Sequence, residues 1–308
     1  MNQLMPLTAA EFPPLKIALG ADADGLVEAG LPVLGGEAVE TLFSGTEPAG
    51  RSGALRLFRQ GDWLLGGATV YLGSLSLEEA AQELYTDIFQ ATHGLHLARI
   101  WQYVPAINAA GPGGLENYRI FCRARSLAFE RHYGTGFKQL LPSASAVGAP
   151  AGILTVIFAA GPAAPRHVEN PLQVAAYDYP ADYGPRAPSF ARATVVAGPD
   201  RNTVFISGTA AIRGHATIAP HELAPQLDCT LENLAEISQA CGLGANLDRD
   251  GRSTRHFKVY LRHAADQATV ARVLEQRLVT KSDHVSYLQA DICREPLLVE
   301  IEATLFGV

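Results

Sequence analysis

Residues 285–306, VSYLQADICREPLLVEIEATLF, hold two β-rich runs joined at Arg294-Glu295-Pro296. Proline fixes φ at the bend, so the segment reads as a closing β-hairpin. Along the second run side chains alternate faces. Val299, Ile301 and Ala303 point one way, and Leu298, Glu300 and Glu302 the other. The apolar set must cover a core, which leaves Glu300 mid-strand on the opposite face, beside a cysteine-bearing turn. An ordinary strand glutamate is solvated. Held rigidly in a pocket, the same group is a proton donor.

Upstream lie a strand over 256–262 and a helix over 266–278. Before them a helix over 221–241 carries Leu223, Leu227, Leu231, Leu234 and Ile237 on one stripe, with Pro225 early and Gly242 as its C-cap. Strands over 191–197 and 203–208 flank a Gly198-Pro199-Asp200 turn. The second half therefore runs β-β-α-β-α-β-β. The first half roughly repeats it: strands over 54–58 and 62–72, then a helix over 77–92 with Leu77, Ala81, Leu84 and Ile88 at three- and four-residue steps. A strand ending at Pro105 follows, then a helix over 118–133 bearing Arg119, Arg123 and Arg125, and the apolar strand 151–161. Residues 1–50, rich in Pro, Gly and Ala, read as an irregular approach with short strands. The expected fold is α+β, two units that each pack helices on one face of a mixed β-sheet. The expected limits are an N-terminal α+β domain at 1–165, a crossover at 166–189 and a C-terminal catalytic domain at 190–308. The stretch 161–189 is dense in Pro, Tyr and Gly. It is too long for a turn and too aromatic for an idle linker, so it reads as a crossover partly ordered over a site.

At 308 residues, with 48% hydrophobic and 18% charged side chains, the chain can bury two ordinary cores. A net charge of −7 argues against a nucleic-acid surface or a polybasic membrane patch. An anionic small molecule stays compatible, because a local arginine cluster can act against an acidic background. The four cysteines are scattered without a CxxC pair, which suits reduced thiols in a cytoplasm. The N-terminus shows no basic region followed by an apolar core, and no window is long and apolar enough for a membrane span. The expectation is a cytoplasmic protein.

His93 and His96 have no carboxylate or thiol at ligand spacing, so no metal site is expected. No GxGxxG or P-loop sequence is present, and Ser207 in ISGTA lacks the setting of a hydrolase nucleophile. What remains converges in the second half. Arg186 and Arg192 flank the tyrosine-rich crossover, Arg262 ends the strand FKVYLR, and Cys293 and Glu300 lie in the closing segment. Arginine's planar fork binds carboxylates through two parallel bonds. Singly, each arginine is more often a surface or structural residue, and Cys293 a small buried hydrophobe.

ISGTAAIRGHAT (206–217), QLDCTLENLAEI (226–237) and LLVEIEATLF (297–306) resemble the reactive-intermediate deaminase, or YjgF-like, superfamily over residues 188–308. Its active site includes the glutamate of the terminal strand. That family binds an amino-acid carboxylate through an arginine early in the preceding strand. Here Val285 stands at that position, beside His284, which disfavours imine or enamine deamination. HLARIWQYVPAIN, GLENYRIFCRARSLAF, YGPRAPSFARA, VFISGTAAIRGH, KVYLRHAAD and YLQADICREPLLVEIE together resemble the chorismatases, across nearly the whole chain. The resemblance implies two YjgF-like, chorismate-mutase-like units. It also implies a chorismate-cleaving enzyme that releases pyruvate without a cofactor. Some members hydrolyse chorismate to a dihydroxycyclohexadienoate, and others form 3-hydroxybenzoate, alone or with 4-hydroxybenzoate. The aromatising members carry a cysteine seven residues before the glutamate, as Cys293 stands to Glu300. By resemblance Glu300 protonates the enol ether and Cys293 steers the ring toward aromatisation. Arg262, Arg192, Arg186 and Arg125 are candidates to hold carboxylates, Tyr183 to exclude water, and Gly208 and Ala210 to lie against the ring. The relatives leave a monomer or a homotrimer open. A non-catalytic binding module on the same scaffold is the remaining reading.

Overall fold

A computed structural model describes residues 12–21 and 23–308. The N-terminal reading for a leader falls largely on residues 1–11, outside the described residues. Strands β1 (Pro14–Ala18), β2 (Leu26–Gly35) and β3 (Val39–Glu40) come first, then β4 (Glu47–Ser52), β5 (Leu55–Gln60) and β6 (Trp63–Tyr71). Helix α1 (Leu77–Ala91) starts at a capping box, Ser76 accepting from Glu79 N while the Glu79 carboxylate reaches back to Ser76 N. Next are β7 (His96–Pro105), α2 (Asn117–Tyr133), β8 (Ser143–Ala149) and β9 (Ile153–Gly161). The second half runs β10 (Arg166–Val168), β11 (Ala193–Val196), β12 (Thr203–Ala210), β13 (Ile212–Arg213), β14 (Ala216–Thr217) and α3 (Leu223–Cys241). It closes with β15 (Thr254–Leu261), α4 (Gln267–Arg277), β16 (His284–Gln289) and β17 (Val299–Phe306). Gly242 caps α3 in the left-handed region, φ 86°, as its sequence position predicts.

The class is α+β. Among the described residues one sheet has six strands in the order β4-β5-β6-β9-β7-β8, a second has nine, β10-β11-β12-β17-β15-β16-β2-β1-β3, and β13 and β14 form a two-stranded ribbon. Apolar residues of α1 and α2 pack on the outer face of the six-stranded sheet. Those of α3 and α4 pack on the outer face of the nine-stranded one. A third cluster, with Trp101, Tyr103, Phe205 and Tyr260, fills the space between the sheets. The layers are thus helix, sheet, sheet, helix.

Three sequence expectations change. The closing segment is no hairpin. β16 pairs parallel with β15, and β17 pairs antiparallel with the same strand, so β15 separates the two runs. Pro296 marks a bend, but a local turn signal cannot register a strand inserted from elsewhere in the chain. Within the expected irregular approach at 1–50, the described residues are more regular than their composition suggests, because β2 spans ten residues and joins β16. Sheet membership therefore crosses the expected limit at residue 165: β1, β2 and β3 complete the sheet of the second half.

Candidate active site

Where the two sheets face each other, alternation on β17 acquires chemical consequences. Val299, Ile301, Ala303 and Leu305 enter the core under α3 and α4. Glu300 and Glu302 point instead at the six-stranded sheet, and each is only 3% exposed. β12 runs alongside with a bulge: Ile206 pairs with Ala303, but Thr209 pairs with Ile301, so β12 carries one residue more. The bulge is fastened to β8 of the other sheet. Ala144 N donates to Ser207 Oγ (2.8 Å), and Gly208 N donates to Ser145 Oγ (2.8 Å). A β-carbon at Gly208 would stand 1.9 Å from Glu300 Oε1, so only glycine leaves room for that carboxyl.

A cavity of about 470 Å³ opens at this junction, a volume suited to a small metabolite. Glu300, Cys293, Arg192, Arg125, Tyr183, Gly208 and Ala210 all line it. Arg186 and Arg262 do not. Arg186 pairs with Glu130 of α2 at 2.8 Å. Arg262 fastens the segment between β16 and β17: its Nε donates to Leu297 O (2.8 Å), and Nη1 pairs with Asp291 (2.5 Å). Its Nη2 donates to Asn108 Oδ1 (3.1 Å) and Arg294 O (3.2 Å). Sequence reasoning passed over Arg119, Arg294, Tyr118, Tyr179, Ser145 and Phe190, which also line the cavity. The position of Arg294 directly after Cys293 was the available signal. Ser145 lies on β8, a strand of small residues with too little pattern to read.

The two glutamates differ in their partners. Glu302 accepts hydrogen bonds from Arg99 Nη2 (2.8 Å), Trp101 Nε1 (2.8 Å), Lys258 Nζ (3.0 Å) and Tyr260 OH (3.1 Å). Lys258 also pairs with buried Glu40 at 2.8 Å. Burial pushes the Glu302 carboxyl up, but Lys258 and Arg99 outweigh it and hold the group at about 2. Among the described residues no donor reaches the carboxyl of Glu300. Burial drives it up to about 8, the Glu302 charge adds to the rise, and Arg99 and Arg192 offset only part. Cys293 is pushed up to about 12, by burial first and then by Glu300, so it carries its proton at neutral pH.

Much of the rest of the wall is cationic. Arg119, Arg125, Arg192 and Arg294 line the cavity, against the carboxylates Glu116 and Glu295. Arg125 donates from Nη1 to Gln102 Oε1 (2.8 Å), leaving Nε and Nη2 without partners among the described residues. Arg192 Nη2 donates to Tyr179 OH (2.7 Å), and its Nε is also unpartnered. Phe190 sits between them, with the guanidinium carbons of Arg192 and Arg125 at 5.1 Å and 5.9 Å from its ring centre. Arg294 lies over the ring of Tyr183 at 4.2 Å and donates to His215 O (2.8 Å). The crossover thus supplies tyrosines to the cavity wall. Spare guanidinium donors can take carboxylates, and a buried carboxyl that keeps its proton can give it up to a bound molecule. Among the described residues, no group of three or more His, Cys, Asp or Glu is placed to hold a metal.

Comparison with known proteins gives a consistent result. A family model described as "Chorismatase FkbO/Hyg5-like, N-terminal" matches residues 42–160. A curated chorismatase of Streptomyces hygroscopicus is 40% identical over 236 residues, 73% of this chain and 66% of that protein. A chorismatase of Streptomyces rapamycinicus is 38% identical over 271 residues, 85% of this chain and 80% of that protein. A 3-hydroxybenzoate synthase of Streptomyces hygroscopicus is 36% identical, covering 74% of this chain and 69% of that protein. A solved chorismatase superposes with a TM-score of 0.75 at 35% identity, over 84% of this chain and 80% of that one. Identity at this level, sustained over most of this chain and of its relatives, means that the chain belongs to the chorismatase family.

Proposed function

We propose that this protein cleaves chorismate to pyruvate and a hydroxybenzoate, 3-hydroxybenzoate alone or with 4-hydroxybenzoate, with Glu300 as the proton donor. One observation carries the reading: a cavity-lining carboxyl that no hydrogen-bond donor reaches among the described residues, held at about 8 by burial. Such a group is largely protonated at neutral pH, as a general acid must be. It gives its proton to the methylene carbon of the enol ether, which becomes the methyl group of pyruvate. The resulting oxocarbenium ion draws electrons from the bond between the ether oxygen and the ring. That bond, at ring C3, breaks as the pyruvate carbonyl forms. Loss of the C4 proton then leaves the C4 hydroxyl in place and gives 4-hydroxybenzoate. For 3-hydroxybenzoate the C4 hydroxyl oxygen bonds to C3 as its proton leaves, the C4–O bond opens as a proton returns to that oxygen, and the C3 proton is lost. Hydroxybenzoate and pyruvate together contain every atom of chorismate, so no water is consumed. Arg125 and Arg192, with donors to spare, hold the substrate carboxylates, and Tyr179 and Tyr183 help to exclude water.

The protonated thiol of Cys293 in the same cavity favours aromatisation over capture by water, which would give a dihydroxycyclohexadienoate. Val285, which replaces the arginine of the deaminases, packs with the core under α3 and α4, and so the deaminase reading gains no support. Incubation with chorismate tests the proposal. Pyruvate and hydroxybenzoate are expected in equal amounts, and Glu300→Gln is expected to stay folded with turnover abolished. Wild-type turnover by that variant would reject the proposal.

A further inference from the structure

Among the described residues, four donors converge on Glu302 and none on Glu300, although the two carboxyls share one face of β17 only two residues apart. Across the strand pairing, Lys258 stands opposite Glu302 and Tyr260 opposite Glu300. Lys258 is anchored on two sides, to Glu302 at 3.0 Å and to Glu40 at 2.8 Å. Arg99 is fixed by Glu302 at 2.8 Å and by Ser145 Oγ at 2.5 Å, and it lies over the Trp101 ring at 5.0 Å. Two buried cations are thus balanced by two buried carboxylates, Glu302 and Glu40. An ionised Glu300 would be an additional, unbalanced charge in the same dry layer.

We propose that Glu302 is a positioning residue for the acid beside it: by holding Arg99 and Lys258 to itself, it leaves Glu300 without a cationic partner and able to carry a proton. The inference rests on the reading of Glu300 as proton donor. The charged and titratable groups that bear on Glu300 are Glu302 on its own strand, Arg99 on β7, Arg192 before β11, and Cys293 in the closing segment. Tyr260 stands opposite it on β15. Among the described residues, only the Glu302 carboxylate accepts hydrogen bonds from both Arg99 and Lys258. Removing its charge leaves these cations facing Glu300 with Glu40 as their sole balancing carboxylate.

The test uses Glu302→Gln in the full chain, with two readouts. One is the pH dependence of pyruvate release from chorismate. The other is the carbonyl stretch of the protonated Glu300 carboxyl in infrared difference spectra, assigned by its loss in Glu300→Gln. Both midpoints are expected to fall by roughly one to two pH units, the size of one uncompensated charge a few ångströms away. Turnover should then drop about ten- to a hundredfold above about pH 8 and change little near about pH 5. A residue that merely supports the fold would lower the rate at every pH without moving either midpoint, and that result would overturn the inference. Should Glu302→Gln fail to fold, Arg99→Gln with Glu302→Gln, which removes one charge of each sign, decides. Its infrared midpoint is expected to stay near that of the wild type, and a fall of more than one unit would overturn the inference. If Glu300→Gln keeps wild-type turnover, the reading of Glu300 as donor fails instead. The infrared midpoints still report whether Glu302 controls its protonation.

Discussion

Two glutamates of one strand face, identical in chemistry and both 3% exposed, are held at about 8 and about 2 by what surrounds them. Strand periodicity makes it legible that Glu300 and Glu302 share a face. Which of them keeps its proton depends on Arg99, Trp101, Lys258 and Tyr260, and local sequence does not reveal where those residues meet. The signs of their effects on stability are opposite. Glu302, lowered on folding, contributes stability that is present above the usual carboxylate range and lost as pH falls toward about 2. Glu300, raised on folding, costs stability as pH climbs from the usual carboxylate range toward about 8. Glu300→Gln is therefore expected to melt higher than the wild type at about pH 8 while losing turnover. An equal or lower melting temperature would argue that the buried carboxyl is stabilised by contacts of its own. Gly208→Ala is expected to displace the carboxyl, since the added carbon would lie 1.9 Å from Glu300 Oε1. Turnover should fall at least tenfold while the melting temperature changes little, and unchanged kinetics would show that the site tolerates the shift. Cys293, pushed up to about 12, should alkylate slowly at neutral pH. Cys293→Ala should move product away from 3-hydroxybenzoate, as chromatography of the aromatic acids would show.

At the level of the strand, the closing segment was read correctly as two β-runs and incorrectly as partners. The apolar alternation of β17 fixed its inner face, but β15 lies between β16 and β17 because parallel pairing with β16 is reached through α4. Arg262 has a different place for the same reason. It ends a strand, a common position for a binding group, yet the segment after β16 passes over that end and takes up its donors. Arg262→Ala is expected to lower stability by about 2 kcal/mol or more, because several buried carbonyls lose their donor together. Chemical denaturation measures the loss. An unaltered unfolding midpoint accompanied by a large rise in KM would return Arg262 to the substrate.

Across the whole molecule, each half contributes walls that are incomplete alone: Arg125 and Ser145 come from the six-stranded sheet's half, and Arg192, Gly208 and Glu300 from the nine-stranded one. Helix periodicity and turn residues made the α+β class legible. The return of β1, β2 and β3 to the far sheet was hidden, because Pro and Gly interrupt the pattern of β1 and β2 and pairing with a strand about 250 residues away leaves no local trace. The chain is acidic overall, at −7, while the cavity presents four arginines. For a dianionic substrate, kcat/KM should therefore fall as salt rises, with kcat nearly constant. A salt-independent kcat/KM would show that those guanidiniums do not face the substrate. The most direct test of the proton-donor account is pyruvate release from chorismate by the wild-type protein as a function of pH. On that account the protonated carboxyl is the active form, so the rate should hold steady below about 8 and fall as pH rises through that value. A rate that instead climbs through the same range would mean that a deprotonated group does the chemistry, and it would contradict the account.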